Sequence, residues 1–192
     1  MIWPSVTLAI LAAVLVTAVV TELRDGRIYN WLTYPAIAVG LGLGALQGWT
    51  EGQTWAVLSD RLLGFGFAFG TLFFAWYVLK GMGGGDVKLM AAVGAFLGWP
   101  GIVDAMFYSF LVGVAVGLIL MIWRGQTRAV LRNLGMAVRL LPNPNVRREE
   151  AVPRSVVHVP FALPVCVGTL WFLGESLLGG TLWEGLGRLA GG

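Results

Sequence analysis

Charged residues are scarce in this chain of 192 residues, where Asp, Glu, Lys and Arg together make up only 12%. Hydrophobic residues make up 57%, and the mean hydropathy is +0.79. A soluble domain of this length could not bury so much apolar surface, so the composition excludes an ordinary soluble fold. It indicates a membrane protein instead.

Cysteine and histidine are almost absent, with one residue of each in the chain. Cys166 lies in an apolar run, where we interpret it as a small packing residue. Neither a disulfide framework nor a cysteine zinc cluster can be built from one cysteine. His158, close to Pro160, is interpreted as a capping or interfacial residue. We therefore expect no metal site and no cofactor.

Apolar runs alternate with short polar segments along the whole chain. A membrane helix needs about 20 apolar residues, and the run 89–99 has only 11. Part of the glycine-rich segment before it must therefore enter the membrane. The pattern predicts an all-α, polytopic bundle of about six transmembrane helices, forming a single membrane-embedded domain over 1–192. The predicted spans are 2–20, 31–46, 62–79, the glycine-rich segment with 89–99, 102–123 and 156–173.

Lysine and arginine fall mainly on one predicted side of the membrane. The stretches after spans one, three and five hold 11 of the 13, which makes that side cytoplasmic and puts both termini outside. The pI near 9.4 is thus explained by topology rather than by nucleic-acid binding. The basic segment 124–155 would be cytoplasmic, with 124–141 either an amphipathic helix on the anionic leaflet or a solvated loop. The tail 174–192 is weakly apolar and suits the interface.

The ten acidic residues are few enough for their positions to be informative. Asp25 follows one crossing and Asp86 follows three, so both lie on the cytoplasmic side and can meet in space. Two carboxylates brought together share a proton, and such a pair can activate water and polarise a carbonyl. We interpret seven other acids as solvated or paired charges: Glu51, Asp60, Asp104, Glu149, Glu150, Glu175 and Glu184.

Asp86 ends a glycine-rich run that begins at Gly81. Glycines allow the backbone to leave the helical conformation and let another chain approach closely. Non-helical backbone at membrane depth is tolerated where it lines a cavity, so we expect irregular backbone beside Asp86. No Gly-Lys-Ser/Thr follows, which argues against a phosphate-binding loop. Asp25, flanked by Arg24 and Arg27, could on its own be part of a juxtamembrane charge cluster.

These residues resemble the prepilin peptidases, membrane aspartyl proteases of the Gly-x-Gly-Asp type. The resemblance rests on the segment Gly83-Gly84-Gly85-Asp86-Val87-Lys88-Leu89, and on Asp25 followed by Arg27-Ile28-Tyr29-Asn30-Trp31-Leu32-Thr33. It covers nearly the whole chain. It implies that Asp25 and Asp86 are catalytic, with Gly83, Gly85, Lys88 and Asn30 as supporting motif residues.

The resemblance also implies a substrate, a cellular location and partners. The substrate would be a type IV prepilin or pseudopilin precursor, cut after its short basic leader at the cytoplasmic face of the prokaryotic inner membrane. Membrane lipids and the pilus assembly machinery would be further partners. Tyr29 stands where the family usually has proline. The paired cysteines of the larger members are missing, which implies a short form without N-methyltransferase activity, similar to those of Flp or tight-adherence pili.

Three other functions are compatible with two acids in a membrane protein. A peptidase of the presenilin or signal-peptide-peptidase kind also uses a Gly-x-Gly-Asp carboxylate, but its first aspartate lies inside an apolar helix. A transporter or proton channel would need polar residues along the spans, which the apolar runs do not offer. A non-catalytic subunit for pilus assembly would need neither carboxylate.

Overall fold

The regular structure of this chain is helical throughout its described residues, which in the computed structural model are 3–79, 83–123, 125 and 160–178. Gly125 apart, the predicted basic segment 124–155 lies outside them, as do Lys80, His158 and the tail beyond 178. The helices within these residues are α1 Trp3–Asp25, α2 Asn30–Thr50, α3 Thr54–Leu79, α4 Gly84–Leu97, α5 Gly101–Trp123 and α6 Ala162–Leu178.

Three of these helices contain segments long and apolar enough to cross a membrane: Ser5–Asp25, Thr54–Val78 and Gly101–Trp123. Ala162–Ser176 is a shorter apolar helix. These features confirm the predicted all-α membrane bundle. The number of crossings stays a prediction, because α4 has only 14 residues and α6 only 17.

Several helices extend beyond the predicted apolar runs. Helix α1 continues through the polar residues that follow 20 and ends at Asp25, where Gly26 adopts a φ of 66° and donates its N–H to the Glu22 carbonyl at 2.8 Å. A left-handed glycine after the last helical residue is a common helix stop. Helix α3 begins at Thr54, ahead of the predicted 62, while α6 begins at Ala162, after the predicted 156. Hydropathy alone therefore misplaces these ends.

The glycine run beside Asp86 is helical from Gly84 onward, so the expectation of irregular backbone beside Asp86 is wrong from that residue on. Gly83 precedes the helix in an extended conformation, with φ −74° and ψ 140°, and its N–H is accepted by the Asp86 carboxylate. A carboxylate in the first turn stabilises a helix start, because the first N–H groups have no partner within the helix. Here that stabilisation outweighs the poor helix propensity of glycine.

Helix α4 lies at the centre of the packing, with every residue from Leu89 to Phe96 buried. It packs against α2 and α3, where glycines allow close approach of the backbones. A Cβ on Gly64 of α3 would lie 2.6 Å from the Gly94 carbonyl oxygen, and one on Gly40 of α2 would lie 3.0 Å from the carbonyl carbon of Ala95. Neither helix could approach α4 this closely with a larger residue at these points.

The chain divides into two compact units, Met1–Val112 with Pro160–Gly192 and Gly113–Val159. The first unit contains α1 to α4, α6 and the beginning of α5. Of the second, the structure describes the last part of α5 and Gly125. All contacts analysed below lie within the first unit.

Replacing Gly64 by alanine should destabilise the bundle, because the new Cβ would meet backbone atoms of Gly94 and Gly98 at 2.6–2.8 Å, and these cannot rotate away. We expect Gly64→Ala to lower the free energy of unfolding by about 1–3 kcal/mol, as overpacking does. Denaturant unfolding in detergent measures the change. Gly66→Ala is the matched control, since a Cβ there has nothing within 4 Å. Equal stability of the two variants would contradict the close helix contact.

Candidate active site

Asp25 is the last residue of α1, and its side chain is exposed at the end of the bundle. Its Oδ2 accepts a hydrogen bond from the Tyr29 hydroxyl at 3.2 Å. Tyr29 precedes α2 with φ −81° and ψ 141°, close to the φ that proline would impose. Tyrosine can therefore occupy this position without changing the backbone, and it adds a phenol that contacts Asp25.

The pKa of the Tyr29 phenol is raised, first by its hydrogen bond to Asp25 and then by the charge of that carboxylate. Ionisation of the phenol would remove the donor and place a second negative charge beside Asp25. Tyr29 therefore stays protonated at neutral pH and acts as a hydrogen-bond donor.

Asp86 is the third residue of α4 and is half-buried. Its Oδ2 accepts the Gly83 N–H at 3.1 Å, while its own N–H is donated to the Gly83 carbonyl at 3.1 Å. This reciprocal pair fixes the rotamer of Asp86 against the backbone of its own helix start. The side chain is thereby held at the same end of α4 as the loop that follows α1.

The two aspartate segments are in direct contact. A Cβ on Gly85 would lie 3.0 Å from Cβ of Ile28, so the residue before Asp86 packs against the loop after Asp25. Lys88 Nζ donates to Asn30 Oδ1 at 2.8 Å and also lies 4.9 Å from the centre of the Tyr34 ring. The segments that carry Asp25 and Asp86 thus lie together at one end of the bundle, and Gly85, Lys88 and Asn30 take part in the contacts between them.

One end of the bundle therefore presents an exposed and a half-buried carboxylate on adjoining segments, with a phenol and an ammonium group nearby. Carboxylates in this arrangement can take a proton from a water molecule and deliver a proton to a bound peptide. Within the described ranges, no group of three or more His, Cys, Asp or Glu residues is placed to hold a metal ion.

Glu22 is a buried acid near the end of α1 that the sequence did not single out. It is 6% exposed, and its carboxylate accepts the backbone N–H groups of Phe161 at 3.0 Å and Ala162 at 2.6 Å. Glu22 continues a stripe of buried residues that recur at helical spacing along α1, but the sequence does not distinguish this face, because the other faces of α1 are apolar as well. The stripe consists of Thr7, Leu11, Leu15, Ala18 and Glu22.

Two acids that we had interpreted as solvated or paired form specific hydrogen bonds at the other end of the bundle. Asp60 Oδ1 accepts the Trp99 N–H at 3.2 Å, just beyond the end of α4. Glu175 accepts hydrogen bonds from the Tyr108 hydroxyl at 2.5 Å and from Trp171 Nε1 at 2.9 Å. Asp60 thereby connects α3 to the residues after α4, and Glu175 connects α6 to α5. Both acids lie toward the ends of α4 and α6 that are opposite to the aspartate segments.

Comparison with known proteins gives a consistent family assignment. Residues 9–118 match the model of the type IV leader peptidase family, a range that includes both aspartates. No solved structure matches the chain significantly.

Similar proteins include three that are named prepilin leader peptidase/N-methyltransferase. The one from Xanthomonas campestris pv. campestris is 31% identical over 66% of this chain and 44% of its own length. The one from Burkholderia pseudomallei is 32% identical over 62% and 38%, and the one from Aeromonas hydrophila is 30% identical over 65% and 43%. The chain thus spans less than half the length of the curated relatives it matches.

The bond between Lys88 and Asn30 should couple these residues energetically. We expect Lys88→Met and Asn30→Ala to be non-additive in a double-mutant cycle, with a coupling free energy of about 0.5–1.5 kcal/mol, typical of one hydrogen bond. Denaturant unfolding of the four proteins in detergent measures it. As a control, Lys88→Met combined with Trp55→Ala should be additive, because Trp55 lies at the far end of α3. Additivity of the first pair would show that the bond does not join the segments.

The contact between Tyr29 and Asp25 should be visible in the titration of the phenol. Asp25→Asn removes the neighbouring charge, so the pKa of Tyr29 should fall toward its ordinary value of 10.0. Ultraviolet absorbance of the phenolate against pH measures this, and subtracting the titration of Tyr29→Phe isolates the signal of Tyr29. An unchanged midpoint in Asp25→Asn would mean that the two side chains are not in contact.

Proposed function

The chain belongs to the type IV leader peptidase family, and we propose that it is a membrane aspartyl endopeptidase that removes the short basic leader of type IV prepilin-like precursors. The observation that carries this proposal is the contact between the Asp25 loop, residues 26–29 between α1 and α2, and the start of α4. Ile28 contacts Gly85 there, and Lys88 bonds to Asn30 at the beginning of α2. This contact supports Asp25 and Asp86 acting as one catalytic pair.

In the proposed mechanism one carboxylate is ionised and the other is protonated when the substrate binds. The ionised member takes a proton from water, and the resulting hydroxide attacks the scissile carbonyl. The protonated member donates a hydrogen bond to the carbonyl oxygen and stabilises the charge that develops there. Proton transfer to the leaving amine completes the cleavage, and no covalent intermediate with the enzyme is needed.

The proposed substrate geometry places the cut at the cytoplasmic boundary of the membrane. The exposure of Asp25 at the end of α1 suits a leader that is still in water, while the apolar helix of the precursor lies in the bilayer. Arg24 and Arg27 are exposed beside Asp25 and are interpreted as topological anchors on the cytoplasmic side. A leader with basic residues would be repelled by them, so they are not proposed as its binding site.

The proposed activity is limited to cleavage. Larger members of this family carry a cytoplasmic insertion with paired cysteines, and methylation is associated with those forms. The one cysteine of this sequence, Cys166, lies within α6 and does not supply such a pair. We therefore propose that the cleaved product keeps an unmodified N-terminus, which mass spectrometry of the processed pilin would test.

The presenilin-like alternative is less well supported, because Asp25 ends α1 between two arginines instead of lying within an apolar stretch. It would cut its substrate inside the hydrophobic segment, whereas the proposed enzyme cuts before it. The position of the new N-terminus therefore separates these two activities in the same assay.

Asp25→Asn and Asp86→Asn should each reduce cleavage of a prepilin in membranes or detergent by about 10²–10⁴-fold or more, because each removes one member of the acid–base pair. The processed fraction on a gel, corrected for the amount of folded protein, measures the loss. Glu51→Gln is the matched control, since Glu51 is an exposed acid at the other end of α2. Normal processing by either aspartate variant would refute the proposal.

A further inference from the structure

Glu22 supplies a cap for a helix that lies about 140 residues away in the sequence. The first N–H groups of α6 have no partner within the helix, and neither Pro160 nor Phe161 offers a side-chain acceptor. The Glu22 carboxylate accepts the Phe161 and Ala162 N–H groups instead, at 3.0 and 2.6 Å. A negative charge at this end of α6 is also favoured by the helix dipole.

Glu22 also belongs to the last turn of α1, which ends at Asp25. Its carbonyl accepts the N–H of Gly26 at 2.8 Å, the bond that closes this turn. Residues three apart lie on the same face of a helix. Asp25 therefore lies on the same side of α1 as Glu22, and it is exposed just beyond the point where Glu22 is fixed to α6.

A leucine at position 22 could continue the mainly apolar stripe without the cost of desolvating a charge, but it would leave the Phe161 and Ala162 N–H groups without this acceptor. A carboxylate differs from leucine by forming directional bonds, here to two adjacent amides on one neighbouring helix. Such bonds fix the rotation of the last turn of α1 about the helix axis and its position along that axis. Apolar packing alone leaves both adjustable.

We propose that Glu22 is a positioning residue for Asp25, holding the end of α1 against the N-terminus of α6 so that the Asp25 loop meets the start of α4. The proposal rests on the proposed function, in which Asp25 is a reacting carboxylate. The geometric part of the proposal is the placement of the Asp25 loop against Gly85, which can be measured without any cleavage.

The placement can be measured by disulfide formation between positions 28 and 85. A Cβ on Gly85 would lie 3.0 Å from Cβ of Ile28, and disulfides join Cβ atoms at about 3.5–4.5 Å, so a small shift suffices. The test protein carries Ile28→Cys and Gly85→Cys with Cys166→Ser, which removes the native thiol. Mild oxidation should cross-link it rapidly in membranes.

Adding Glu22→Gln to this protein should slow the cross-link about tenfold, because the amide has one acceptor oxygen and faces the two N–H donors with an NH₂ group. Glu51→Gln, a neutralised acid at the other end of the bundle, should leave the rate unchanged. An unchanged rate in Glu22→Gln would overturn the proposal, whether or not the protein cleaves a prepilin.

Cleavage kinetics in the otherwise unaltered sequence form the second measurement. Glu22→Gln should lower kcat per folded molecule about tenfold while KM stays within about twofold, since the misplaced group is the reacting one. Glu22→Asp, which keeps the charge on a shorter stem, should fall between. A purely structural role would reduce the folded amount only, and an unchanged kcat would overturn the proposal. If the unaltered protein cuts no prepilin, the proposed function fails. The cross-linking rate then decides by itself whether Glu22 positions the Asp25 loop.

Discussion

The close contact of α4 with α2 and α3 is the constraint on which the rest of the described structure depends. Helix α4 is short and almost wholly buried, and it can occupy the centre only because Gly64 and Gly40 leave room for its backbone. In lipid, apolar burial gives little drive for helices to associate, so close packing of small residues becomes the main attraction. The position of α4 fixes the position of Asp86, because this carboxylate is part of its first turn.

The placement of Asp25 depends on a different kind of interaction. Helix α1 has a buried stripe of ordinary apolar residues, but its end is held by polar bonds: Glu22 to the start of α6, and Tyr29 to Asp25 itself. The loop is then joined to α4 by Lys88 and Asn30. The two aspartates are thus positioned in two ways, one by backbone packing and the other by hydrogen bonds between elements far apart in the sequence.

These two ways explain what could be predicted from the sequence. The expectation that Asp25 and Asp86 share a membrane side comes from counting crossings and stays a prediction, whereas the contact of their segments at one end of the bundle is observed. The irregular backbone expected beside Asp86 is helical from Gly84 onward, because the Asp86 carboxylate accepts the Gly83 N–H and stabilises the start of α4. The role of Glu22 could not be predicted, since its partner amides are 139 and 140 residues away. Its burial could not be predicted either, because α1 is apolar on its other faces as well and the sequence does not show which face is buried.

The polar bonds of this bundle are concentrated at helix ends, and there is a physical reason for that location. Inside a helix each backbone group is already bonded, so a buried carboxylate there would find few donors. At a helix start the free N–H groups provide those donors, as for Glu22 with α6 and Asp86 with Gly83. The same bond that satisfies the backbone therefore also fixes a side chain at the end of a helix. Caps that the helices require in any case can thus place carboxylates at one end of a bundle.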